Sequence, residues 1–412
     1  MIRNPEYPEG FSLDSQSAIH ERELRDYSKK KKKRRAPFDL PFFILTLIIL
    51  SIGVVMVLSA SFASAYYSSG DPTGYFIRQL GFAVLGIVAM LCISLIPVQL
   101  YRRLSVYIMA GTLLLLLLVP FIGTERGGAT RWIDLGFTTF QPSEIAKLAV
   151  IICFSAMICT YGKKMKTFRY GVLPFALILA AVVGLLILEP HLSASVIIIA
   201  VGAIMMFAGG TRIYWFLGVG VLAGGAGYIA VSKLDYAARR IATWRDPLSD
   251  LQGDGWQIIQ SLYAVGSGGF LGLGLGQGRQ KYLYLPEEHN DFIFAVVCEE
   301  LGFVGAALIL ILFALLIIRG YWLAMHARDK FSALLVTGIT SLLAIQVFLN
   351  VAVVTNLLPC TGISLPFFSY GGTALLLQMA EMGIVLSVSR DIPLKSEKTE
   401  TAAETEKTEA HE

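Results

Sequence analysis

About ten apolar stretches, each roughly 18 to 25 residues long, recur along this chain and are broken by Gly, Pro and charge. They lie near 38–61, 76–96, 104–122, 143–161, 171–188, 191–209, 213–231, 291–318, 331–353 and 368–389. An α-helix needs about 20 apolar residues to cross a bilayer core, and no helix of a soluble core needs that length repeatedly. In hydrocarbon every backbone N–H and C=O must be paired within the span, which leaves helices as the solution for uninterrupted apolar runs. With 55% hydrophobic and 16% charged residues, the expected fold is an all-α integral membrane protein, a polytopic bundle of about ten transmembrane helices. Ala63-Ser64-Ala65 after the first stretch imitates a signal-peptidase site. The apolar region of a signal peptide runs only about 7 to 15 residues, so a retained anchor is expected.

Charge gives the expected orientation. Five Lys and two Arg between Lys29 and Arg35 abut the first span, which by the positive-inside rule holds the N-terminus in the cytoplasm. Tyr101–Arg103, Lys163–Arg169, Arg212 and Arg319–Lys330 fall on the same side, whereas 62–75 and 354–367 contain no Lys or Arg. An even number of spans returns the C-terminus inside, giving a multi-pass membrane protein with both termini in the cytoplasm. Three regions follow: a basic cytoplasmic tail over 1–37, the membrane domain over 38–390, and an acidic tail over 391–412 too poor in large apolar groups to fold. The net charge of +4 is the sum of these opposed tails and implies no nucleic-acid partner. Five cysteines without a C-x-x-C pair support neither a disulfide framework nor a thiolate metal site.

This topology leaves one large extracytoplasmic loop, 232–290, between spans 7 and 8. Ile258, Leu262 and Val265 recur there at helical spacing, predicting an amphipathic helix on the membrane surface. Glycines 266, 268, 269, 272, 274, 276 and 278 follow, but neither G-x-G-x-x-G nor a P-loop can be read through them, so nucleotide binding is excluded in favour of close backbone approach or re-entrant packing.

Ionisable groups inside spans cost about 2.5 to 3.5 kcal/mol each at a helix centre and so point to function. Glu144 and Lys147, three apart in "FQPSEIAKLAV", share a helix face and can pair; Arg126 and Arg131 in the preceding loop add positive charge suited to an anionic head group. The alternative is an ion pair that only locks helices. In "LPEEHNDFIFA", Glu287 and Glu288 read as a solvated loop. Asp291 opens the eighth span, where partial desolvation would make it a better base, and where an N-cap role is also open. "TNLLPCTGISLPFFSYGGTALL" can fold back toward the bundle only where it lines a cavity or is covered by protein.

"RWIDLG", "FQPSEIAK", "WRDP", "GWQIIQSLYAVGSGGFLGLGLGQGRQKYLYLPEEHNDFIFAVVCEELGFVG" and "LPCTGISLPFFSYGGT" together resemble the SEDS proteins (shape, elongation, division, sporulation) over about residues 38–390. "LPFFSYGGT" and "LSVSR" are more similar to the FtsW and SpoVE branch than to RodA. The resemblance implies a peptidoglycan glycosyltransferase that polymerises lipid II outside the membrane with a class B penicillin-binding protein and other divisome membrane proteins. It assigns Asp291 as the catalytic residue. The expected substrate-binding residues are Arg131, Glu144, Lys147, Gln260, Ser261 and His289. A divalent cation, Mg2+ or Mn2+, is an alternative source of positive charge for the diphosphate, with no ligands assigned. Asn290 stands where the family usually has Thr, and Glu189-Pro190-His191 where it reads Q/E-P-D. A lipid II flippase and a non-catalytic scaffold that recruits a transpeptidase remain competing expectations.

Overall fold

The computed structural model describes residues 37–126, 129–134, 136, 138–189, 191–218, 220, 235–250 and 253–392. Of the two tails, 1–36 and 393–412 therefore lie outside the described residues, and the compact unit is Phe38–Ile392. Eight described helices are long and apolar enough to cross a membrane. They include α1 (Leu40–Ser69), α2 (Gly74–Ile93), α3 (Val98–Ile122), α4 (Pro142–Tyr161) and α5 (Leu173–Leu188), the last preceded by one helical turn at Phe168–Gly171. After α5 comes α6 (Leu192–Ala208), then α7 (Asp235–Arg245) and α8 (Asp254–Ser267), and finally α9 (Ile293–His326), α10 (Lys330–Val354) and α11 (Gly372–Ser389).

Of the ten expected spans, the sixth is the shorter apolar helix α6, with 17 residues, ended by the Gly209–Gly210 turn where Gly209 N–H donates to Met205 O at 2.8 Å. The seventh is described only at 213–218 and 220; its remainder, with the start of the long loop, lies outside the described residues. Helix ends follow local chemistry. Asp39 caps α1 by accepting from Phe42 N–H, and Gly70, at φ 74°, closes it. Helices α10 and α11 form the centre: 67% of the apolar window of each is buried, against 22% in α2 and 28% in α3, which face outward.

The α3–α4 connection adds a small sheet to the expected all-α bundle. Instead of a plain loop it holds a three-stranded antiparallel sheet of β1 (Thr124–Arg126), β2 (Ala129–Asp134) and β3 (Thr139–Phe140), with Thr124 opposite Trp132 and Ile133 opposite Phe140. Alternation along β2 puts Arg131 and Ile133 on one face and Thr130 and Trp132 on the other, so Arg131 projects from a paired strand.

Helix α8 forms as expected but turns a different face inward. Ile258, Ser261 and Ala264 are buried and Leu262 is 38% exposed, because the helix packs on α9 through small residues. The glycine run then wraps the start of α9. Glu300 accepts from the backbone N–H groups of Gly276 and Gly278, from the Ser59 hydroxyl and from Lys281 Nζ at 2.7 Å. Glu299 accepts from Arg279 and Gln280 N–H. The loop is thus an anion-binding nest whose anions are the protein's own carboxylates. Gly302 makes this possible: its φ of 67° breaks α9, and a Cβ there would lie 2.2 Å from Gly272 N.

Candidate active site

Asp291 is held by its main chain and left open at its side chain. Helix α9 starts at Ile293 with Phe292 as N-cap and no side-chain cap, so the N-cap role considered for Asp291 does not apply. Asn350 of α10 donates through Nδ2 to Asp291 O at 2.8 Å and to Ile363 O at 2.7 Å. Ser369 Oγ donates to Asn290 O, and Tyr370 N–H to His289 O, each at 2.8 Å. The returning segment 360–370 therefore clamps 289–291. Gly362 takes φ 62°, and a Cβ there would stand 3.1 Å from Asp291 Oδ2; glycine satisfies the backbone angle and keeps that approach clear.

Among the described residues the Asp291 carboxylate accepts no hydrogen bond. Burial raises its pKa to about 6, with the Glu287 charge adding to the rise and Arg240, Arg131 and His289 opposing it. A carboxylate without donors and with a pKa near neutrality is mostly ionised at pH 7 and is a stronger base than an ordinary surface aspartate.

Two guanidinium groups act on it from different elements. Arg131 on β2 donates through Nε to Glu189 O at 3.4 Å. Arg240 on α7 donates through Nη1 to Cys360 O at 2.7 Å, and Trp244 on the same helix donates to Asn356 O at 3.1 Å. Sequence reasoning missed Arg240. Its signal was available: Arg239, Arg240 and Arg245 sit in a loop assigned to the outside, where the positive-inside rule disfavours basic residues, so their presence asks for a reason. The side chain of Arg126 lies outside the described residues.

The remaining expected residues divide. His289 joins the cluster, its ring 4.8 Å from that of Tyr75 and 5.8 Å from that of Tyr370. Glu288 corrects the solvated-loop expectation: it is buried, with Oε1 3.3 Å from His289 Nδ1, because the turn at Glu287, φ 54°, swings the next side chain inward. Glu287 is exposed as expected. Ser261 is buried and donates to Val354 O at 2.8 Å, and Gln260 is buried beside it; the residue of α8 that reaches the Asp291 region is Gln257, which donates to Pro286 O at 3.3 Å and lies 3.9 Å from Cys360 Sγ. Lys147 is only 4% exposed and pairs with Glu144 at 2.7 Å, with Glu381 of α11 within electrostatic reach of both.

His191 joins two helices. Its Nδ1 accepts from Ala194 N–H at 3.2 Å, and its Nε2 lies 2.8 Å from the Gln141 amide. The proton therefore sits on Nε2, and Gln141 must turn its amide oxygen toward the ring. Burial, then Arg131 and Lys147, lower the His191 pKa to about 3, so the ring stays neutral. Ser193 Oγ donates to Thr361 O, which ties α6 to the segment over Asp291. For a metal the fit is poor: among the described residues no group of three or more His, Cys, Asp or Glu side chains could hold an ion.

The chain as a whole has relatives in sequence and in fold. The profile of the family described as "Cell cycle protein", which covers FtsW, RodA and SpoVE, matches residues 39–392. The chain is 42% identical to stage V sporulation protein E of Bacillus subtilis over 361 residues, 87% of this chain and 98% of that protein. It is 41% identical to a probable peptidoglycan glycosyltransferase FtsW of Trichlorobacter lovleyi over 367 residues, 89% and 96% of the two chains. A structure described as "Structural coordination of polymerization and crosslinking by a peptidoglycan synthase complex" aligns with TM-score 0.72 at 30% identity, covering 86% of this chain and 98% of that one. The rod shape determining protein RodA of Thermus thermophilus aligns with TM-score 0.65 at 28% identity, covering 87% and 98%. A match across nearly the whole membrane domain, by sequence and by fold, means that the chain belongs to the FtsW, RodA and SpoVE family of cell cycle proteins.

Proposed function

We propose that this protein is a peptidoglycan glycosyltransferase that polymerises lipid II on the outer face of the bacterial cytoplasmic membrane during division or sporulation. The observation that carries the reading is Asp291: a carboxylate without hydrogen-bond donors among the described residues, raised toward neutrality by burial and flanked by the charges of Arg131 and Arg240. The C4 hydroxyl of an acceptor GlcNAc gives its proton to Asp291 as its oxygen attacks the anomeric carbon of a donor MurNAc. The bond from that carbon to the lipid diphosphate breaks, the centre inverts, and a β-1,4 link forms. Diphosphate departs as a stable anion, so one base suffices where glycoside hydrolysis uses two carboxyl groups. Arg131 and Arg240 stabilise the charge that builds on the leaving group. Lys147 is the poorer candidate for that contact, being enclosed and already paired with Glu144. No step is assigned to a metal.

In this reading the end of the bundle carrying Asp291 faces outward and the end carrying Lys163, Lys166 and Lys330 faces the cytoplasm, with both termini inside, as the basic connections dictate. The tails 1–37 and 391–412 serve as cytoplasmic extensions of a membrane domain over 38–390. A class B penicillin-binding protein is the proposed partner, supported by the likeness to a synthase complex that coordinates polymerization with crosslinking. Lipid II transport is the second reading, favoured by the polar group Lys147, Glu144 and Glu381, since Glu381 lies near the middle of α11. Purified protein with its partner and labelled lipid II separates the two. Glycan polymer lost in Asp291→Asn supports the enzyme; translocation in proteoliposomes without polymer supports the transporter.

A further inference from the structure

Glu189 is the most conspicuous group that this mechanism leaves unused. It follows the last residue of α5 and is 1% exposed, and neither oxygen of its carboxyl has a hydrogen-bond partner among the described residues. A buried polar group without a partner is costly, and a buried carboxylate far more so. The charge that acts on this carboxyl is that of Arg131, whose Nε already donates to the Glu189 carbonyl. The same guanidinium acts on Asp291. The charge of one cation therefore reaches both the Glu189 carboxyl and the proposed base. We propose that Glu189 sets the position of Arg131: a neutral carboxyl leaves the guanidinium directed to Asp291 and the substrate, and a carboxylate captures it.

The surroundings favour the neutral form at rest. Burial raises the Glu189 pKa to about 8, with Arg131 opposing the rise. The other charged and titratable groups of the region are Lys147 and Glu144 from α4, Glu381 from α11, Arg240 from α7, and Glu287, His289 and Asp291 from the turn before α9. None of these acts on Glu189 as Arg131 does. His191, two residues on, stays neutral through this range and so does not titrate with it. Ionisation of Glu189 then forms an ion pair with Arg131 at the expense of the Arg131–Asp291 interaction. The consequence is an alkaline limit on activity that belongs to Glu189 and not to the base.

The inference rests on the glycosyltransferase reading, and two measurements keep the two ideas separate. The first is the pH profile of polymer synthesis by wild type, Glu189→Gln and Glu189→Asp. Wild-type activity should be about tenfold lower at about pH 9 than at about pH 7, Glu189→Gln should match wild type at neutrality and keep that rate at about pH 9, and Glu189→Asp should retain an alkaline limb. An alkaline limb that persists in the Gln variant overturns the proposal, as does a folded Gln variant inactive at neutral pH. The second needs no substrate: infrared difference spectra of the protein in lipid. The carboxylic-acid carbonyl band present in wild type and missing in Glu189→Gln should disappear as pH rises through about 8. A guanidinium band assigned with Arg131→Lys should shift at the same midpoint. If the two bands do not move together the proposal fails, whether or not the protein makes polymer; if they do and no polymer forms, the glycosyltransferase reading is what fails.

Discussion

Two carboxylate sites lie close together on one stretch of chain and differ in almost every physical respect. Asp291, just before α9, receives no hydrogen bond among the described residues, while its main chain is fixed by Asn350. Glu299 and Glu300, about two turns into α9, are saturated: backbone amides from the glycine run, the Ser59 hydroxyl and the Lys281 ammonium all point at them. A carboxylate given every donor it can use is a structural anion, and its charge holds a loop in place. A carboxylate denied donors, its pKa raised toward neutrality by burial against the opposing pull of nearby cations, is equipped to take up a proton and release it. The contrast turns on partners, since all three residues are acidic and lie within the same ten residues, 291–300.

The largest test of the contrast is Asp291→Asn. A general base contributes about 10² to 10⁴-fold in rate, so the variant should accumulate in the membrane, keep its thermal stability and make no detectable polymer. Wild-type polymerisation by this variant would place Asp291 with the structural carboxylates. Glu300→Ala should do the reverse. Removing one partner of a buried ion pair costs about 3 to 5 kcal/mol, so this variant should melt at much lower temperature, and its activity should fall only in proportion to the folded fraction. The double variant Lys281→Met with Glu300→Leu should recover part of that stability, read by the same melting curve.

A smaller effect follows from proton supply. The base must be ionised to act, and its pKa is about 6; activity should therefore be near its plateau at neutrality and fall about tenfold per unit as pH drops below that value. A flat profile down to about pH 5 would mean that no group of this kind limits the reaction. The smallest effect belongs to Glu287→Gln. Its charge helps raise the Asp291 pKa, so its removal should shift the acid limb to lower pH by less than about one unit, with the plateau unchanged. Glu288→Gln should cost more than Glu287→Gln in stability, because Glu288 is buried against His289.

Much of this architecture is legible in the amino-acid sequence. Apolar length dictates the helices, since a span must satisfy its own backbone in lipid, and the alternation of basic and uncharged connections assigns Asp291, Arg131 and the 354–367 segment to one side. Those are properties of contiguous residues. The motifs also carry the family and the acidic candidate. What the chain does not disclose depends on which atoms meet across long separations. Leu262 and Ile258 share a helical pattern, and only the packing of α8 on α9 decides that Ser261 and Ala264 are the buried companions of Ile258. Glu287 and Glu288 read alike in sequence, yet one left-handed residue, Glu287, sends Glu288 inward and leaves its own side chain outside. The glycine run gives no hint in sequence that its amides serve Glu299 and Glu300. Arg240 reaches the site only because α7 docks on the carbonyl of Cys360, and the Glu189 carboxyl lacks a donor among the described residues only because the fold buries it without supplying one. The membrane helices come from local length and pattern, and so were set by the sequence alone, while the basic connections give the expected sidedness. Hydrogen-bond supply and burial, which separate a structural carboxylate from a reactive one, are sums over residues distant in the chain, and only the tertiary fold decided them.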